Sequence, residues 1–159
     1  MNTVQKWGWA LGAVTAVVAG VLCAQTALPV PDYHPSMGDL MTMAVQPRHI
    51  KLALAGREKN WKYAEYELSE LRNAFTRIGR TIPVYRTADV PALIGALTTD
   101  PLKAVEEAIH AKDATRFKAA YGALTQACNA CHLSQDHPMV VIRVPDEKFY
   151  PDQDFRLQR

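Results

Sequence analysis

The 159-residue sequence predicts an all-α fold, a four-helix bundle with an extended C-terminal tail, on two observations. Apolar residues recur at alternating steps of three and four through successive stretches, the spacing that gathers side chains on one helix face. Between residues 37 and 133 no segment alternates with period two for long enough to suggest a sheet.

The N-terminal stretch is of a different kind. Lys6 precedes the apolar run "ALGAVTAVVAGVLC", Ala10 to Cys23, and small and polar residues follow. A basic start, a short apolar core and a cut after Ala24 predict a signal peptide over residues 1–24 and an exported, periplasmic product. The run is shorter than the roughly 20 residues a membrane-spanning helix needs, so no stable membrane insertion is expected after cleavage. Residues 25–36 form a lead-in whose "LPVPDYHPS" holds three prolines and resists regular structure.

Ser36 with Asp39 can start the first helix, and Met37, Leu40, Met41, Ala44 and Val45 follow at helical spacing. Pro47 lacks an N–H and crowds the Met43 carbonyl, so it should end or kink this helix. The continuation "RHIKLALAG" runs to Gly56, a candidate C-cap. Trp61, Ala64, Leu68, Leu71, Phe75 and Ile78 then line one face from Asn60 to Gly79, opposite Lys62, Glu65, Arg72 and Arg77. After a turn-rich segment, Pro91 can open a short helix to Leu97, and Asp100 with Pro101 can start another carrying Leu102, Val105 and Ile109. Asp113 can cap the last helix, whose stripe of Phe117, Tyr121, Leu124, Cys128 and Cys131 puts the cysteines on the buried face. The bundle is expected over residues 37–137. The tail, 138–159, has a brief β-like run from Val140 to Val144.

A net charge of +2 supplies no basic field for nucleic acid. Of the three cysteines, Cys23 leaves with the signal, so Cys128 and Cys131 have only each other. They stand in "CNACH", where two thiols three residues apart project to one side of a helix and His132 follows one turn after Cys128. That spacing is the one for covalent c-type haem attachment: two thioethers from the cysteines and an iron ligand from the histidine. Zinc is a rival, with His137 as a fourth donor, but adjacent Cys131 and His132 diverge by about 100° on a helix and zinc usually takes two separated pairs. Thiol exchange is a second rival; it favours a helix N-terminus, whereas Cys128 lies near the C-terminal end. A plain disulfide leaves the adjacent histidine unexplained.

With "CNACH" near the end of a last helix, the chain resembles the cytochrome c-prime group of exported four-helix cytochromes. It also looks like a set of exported single-haem proteins sharing segments matched here by "QPRHIKL" and "NWKYAEYEL". The first resemblance implies that Cys128 and Cys131 carry one haem c, that His132 is its proximal ligand, and that the first helix lies over the other haem face. Low-spin members of that group provide a methionine there, and high-spin members leave the iron open to small gases.

The sixth position decides between the two activities, because a strong protein ligand favours electron transfer and an open site favours gas binding. Met41 is the first candidate distal ligand, on the apolar face of the first helix, although a methionine there also serves as core filling. His49 is the second, where a kink at Pro47 could turn it inward. His137 and Met139 could reach the far face only if the tail wrapped the haem edge, and His34 and His110 read as structural or exposed. Trp61, Tyr63 and Tyr66 could pack on a porphyrin or in the core, and Arg48 could meet a propionate. The expected activity is electron transfer with redox proteins as partners, without enzyme activity and with a homodimer left open. Gas binding is the alternative, and a haem-free dithiol protein the third reading.

Overall fold

The computed structural model describes residues 33–145, and the helices belong to the unit that begins at His34. The signal peptide, the lead-in through residue 32 and the tail beyond residue 145 lie outside the described residues. Among those described, the protein is mostly helical with four principal helical rods, in line with the all-α expectation.

The first rod starts as expected. Ser36 Oγ accepts from the Asp39 N–H at 3.1 Å while Asp39 Oδ2 accepts from the Ser36 N–H at 2.9 Å, so two end donors are satisfied reciprocally. Helix α1, Met37–Leu40, then widens into a π-turn over Met41–Val45 before α2, Gln46–Arg57. Pro47 therefore does not end the rod: it stands in the first turn of α2, directly after the π-turn. The π-turn bonds the Gln46 N–H to the Met41 carbonyl, five residues back, and the wider turn lets the proline ring pass the Met43 carbonyl.

Gly56 is not the cap. Helix α2 ends one residue later, the Asn60 N–H returns to the Ala55 carbonyl at 2.9 Å, and Lys59 takes the left-handed conformation at φ 56°. The same six-to-one closure ends α4 at Lys112 and α5 at Asp136, again without glycine. The reason for Gly56 is contact: a Cβ there would stand 2.1 Å from Cε1 of the buried Phe117 ring.

Helix α3, Trp61–Thr81, buries Ala64, Leu68, Leu71 and Ile78 from the expected stripe. It also buries Glu67, 1% exposed, which meets Arg48 at 3.5 Å and Tyr63. Burial pushes the Glu67 carboxyl up, and the cations of Arg48 and Lys51 pull it back. A two-residue hairpin follows, β1 Val84–Tyr85 against β2 Ala88–Asp89. It is too short for the alternation that marks a strand in sequence.

Two short helices were expected between Pro91 and Ile109, and one is found. Helix α4, Val90–His110, is capped by Asp89 and continues through Pro101. The Thr98 and Thr99 hydroxyls donate back to the carbonyls of Ile94 and Gly95, the contacts by which threonines bend a helix just where the proline needs room. Helix α5, Ala114–Ser134, is capped by Asp113 as expected.

Neighbouring rods run antiparallel. Arg48 meets Glu67 and Glu70, Arg72 meets Glu106, Glu65 meets His110, and Gly56 meets Phe117. Among the described residues no helix is long and apolar enough to cross a membrane.

Gly56→Ala gains helix propensity of about 1 kcal/mol but drives a methyl into a ring with nowhere to move, a cost of about 1–3 kcal/mol. The urea midpoint of Gly56→Ala is expected to fall, and Phe117→Leu on that background to cost less than Phe117→Leu alone.

Candidate functional site

Each rod changes character at one end. On α4, Leu102, Val105 and Ile109 are buried core, whereas Leu93, Ile94 and Leu97, one half of the helix earlier, are only half-buried. Phe75 on α3 and Met37 and Met41 on the first rod are half-buried too. These side chains wall a cavity of about 440 Å³, within the range of cofactor and small-molecule sites. Its lining is predominantly apolar.

Cys128, Cys131 and His132 enter this wall from α5, so the cysteines, on the inward face of their helix, meet the cavity half-buried. The stripe is core as far as Leu124 and becomes cavity wall beyond it. Both thiols are free. Burial, with the neighbouring Cys131, pushes the Cys128 thiol up to about 11, and burial raises Cys131 as well. Thiols held in that state are poor nucleophiles at neutral pH, which counts against thiol exchange.

His132 Nδ1 lies 2.9 Å from the Val140 carbonyl oxygen. A carbonyl only accepts, so Nδ1 carries the hydrogen, and in the neutral ring Nε2 then bears the free lone pair. This is the arrangement that orients a metal-binding imidazole. Among the described residues no three His, Cys, Asp or Glu side chains converge as a metal-holding group. The stretch therefore offers single donors at a cavity, not the closed cage of a structural zinc site.

Across the cavity, the π-turn places Met41 and Val45 on the wall with His49 one turn further on. His49 is 4% exposed, and both its ring nitrogens are engaged. Nδ1 lies 2.8 Å from the Tyr121 hydroxyl and Nε2 3.1 Å from Thr125 Oγ1. Those hydroxyls also reach the carbonyls of His49 and Tyr121, at 2.7 and 3.0 Å. Burial lowers His49 to about 4, so the ring is neutral near pH 7 and one imidazole hydrogen serves this network. To bind a metal, His49 would have to give up a buried hydrogen bond, whereas Met41 carries no such tie.

The remaining candidates separate cleanly. His137 lines the cavity, held by the Tyr85 hydroxyl at 2.9 Å, while Met139 is exposed. His34 is exposed, and exposed His110 meets Glu65. Trp61 packs edge-on against Phe117, and Tyr63 joins Glu67; the aromatic side chains on the cavity are instead Phe75 and Tyr85. Arg48 points its charge to Glu67 and Glu70 of α3. Sequence reasoning missed Tyr85, Tyr121 and Thr125 as site residues. Of these, Thr125 had a signal, one turn after Tyr121 on the same face.

Comparison with family models, characterised proteins and solved structures finds no match to this chain.

The His49 value gives a pH prediction with a definite sign. The folded pKa lies below the unfolded one, so stability from this residue is complete above about pH 6.5 and declines as pH falls toward 4. The full loss is roughly 3 kcal/mol. Between pH 7.5 and 4.5 the wild type should lose more urea stability than His49→Gln, which has nothing to titrate.

Proposed function

We propose that this is an exported, periplasmic c-type cytochrome with one covalent haem in an up-and-down four-helix bundle, related to the cytochrome c-prime group. It carries electrons between redox proteins and is not an enzyme in its own right. Cys128 and Cys131 would hold the haem as thioethers and His132 would ligate its iron. When bound, the group supplies one-electron redox chemistry; the chain supplies attachment, burial and ligand orientation.

The observation that carries this reading is the meeting of motif and cavity. Two thiols and an imidazole with its Nε2 lone pair free share the wall of a mostly apolar space of about 440 Å³. Phe75, Leu93, Ile94 and Leu97 line that space with hydrocarbon, the environment that excludes water from a haem and lets burial tune its potential. On the far side Met41 would be the distal ligand, because His49 is held by Tyr121 and Thr125.

That same constraint supports a second reading. With His49 tied to α5, six-coordination rests on Met41 alone, and an iron that Met41 does not reach is a five-coordinate site for nitric oxide or carbon monoxide. The visible spectrum separates the two. Co-expressed with haem-attachment machinery, the protein should run as a coloured band on a denaturing gel, and Cys128→Ser with Cys131→Ser should abolish the band. Reduced wild type should be low-spin and slow to take up carbon monoxide. Met41→Ala should bind it rapidly, and His49→Gln should behave as wild type. Rapid uptake by the wild type would establish the gas-binding reading; a colourless protein with two titratable thiols would refute both.

A further inference from the structure

The tail has a job at this site. Resting on the haem reading above, we propose that Asn129 is a positioning residue: it clamps the returning tail so that the Val140 carbonyl holds the His132 ring with Nε2 toward the haem.

Helix α5 ends in a turn that sends the chain back along itself. The His137 N–H bonds to the His132 carbonyl at 2.8 Å, and the Val140 N–H to the His137 carbonyl at 3.0 Å. Val140 thereby arrives beside His132, and two residues later Ile142 arrives beside Asn129. The second meeting is two-pronged. Asn129 Nδ2 donates to the Ile142 carbonyl at 2.9 Å, and Asn129 Oδ1 accepts from the Ile142 N–H at 2.7 Å. One carboxamide thus satisfies both backbone groups of one residue, as a partner strand would.

The chemistry calls for a carboxamide. Aspartate has no hydrogen to give the Ile142 carbonyl, and alanine has neither group. Asn129 and His132 are three residues apart on α5 and so share a side of the helix. The clamp at 142 and the bond at 140 therefore act on one short length of backbone. The His132–Val140 contact is open to solvent, where water would compete for Nδ1–H if the carbonyl were free to drift. The half-buried clamp holds that carbonyl in place.

A backbone acceptor on Nδ1–H makes an imidazole a stronger electron donor to its metal. That favours the oxidised iron, so releasing the strap should raise the reduction potential. The experiment compares the haem-loaded full chain with Asn129→Ala, Asn129→Asp and Ile142→Pro, the last removing the N–H from the tail side. Each variant is expected to keep its haem and show a higher midpoint potential, and Asn129→Ala with Ile142→Pro together should shift it no further than either alone. Nitrogen NMR of the His132 ring should show the Nδ1–H tautomer in the haem-free wild-type chain and a mixture in haem-free Asn129→Ala. Should Ile142→Pro not fold, the near-isosteric Asn129→Asp carries the comparison. Unchanged potentials together with an unchanged tautomer would overturn the strap while leaving the haem reading intact. A wild type that never takes up haem would overturn that reading, and the ring nitrogens of the haem-free chain would still decide whether Asn129 fixes His132.

Discussion

The site depends on one junction between the first rod and the last. Phe117 closes onto Gly56 at one level, and one to two turns on, Tyr121 and Thr125 grip His49. Beyond that grip the two helices face a shared cavity through Met41 and Val45 on one side and Cys128 and Cys131 on the other. A missing Cβ brings the helices together below, and a polar, fully bonded contact fixes their orientation in the middle. Packing alone would slide more easily, because apolar contacts are non-directional whereas the His49 ring is held at both nitrogens. The junction also explains the depressed basicity of His49: a charge at that depth would lose its hydration with no anion to replace it.

The cavity takes its character from its lining. Phe75, Leu93, Ile94 and Leu97 line a space of about 440 Å³ with hydrocarbon, and under the haem reading they would enclose a partner of comparable apolarity. Covalent attachment through Cys128 and Cys131 would make that partner a permanent part of the core.

Much of this was legible from residue patterns, and the exceptions share a cause. The capping box at Ser36, the stripe of α3, the cap at Asp113 and the CxxCH motif are local, so side-chain identity alone announces them. Pro101 does not start a helix, because threonines bonding back to the preceding turn can absorb a proline, and of the two outcomes open at Pro47 the π-turn selects continuation; neither remedy has a strong sequence mark. Gly56 was misread because its reason sits on another helix. Glu67 looks like a surface residue until Arg48 and Tyr63 are placed around it. The tail was the least legible part: its contributions are the carbonyls of Val140 and Ile142 and the Ile142 N–H, groups every non-proline residue possesses.

The two sides of the cavity are consequently determined to different degrees. Cys128, Cys131, His132, their clamp Asn129 and the strap at 140–142 all come from one continuous stretch, so forming α5 and its return assembles that side in a single local event. The opposite side is set by the π-turn before Pro47, with the Met41 thioether making no such hydrogen bond and His49 committed elsewhere. If a haem is held there, a single substitution near Met41 would change the ligation at that side while leaving attachment at Cys128 and Cys131 untouched. Under the haem reading, the choice between carrying electrons and binding a gas would therefore rest on the turn from Met41 to Val45.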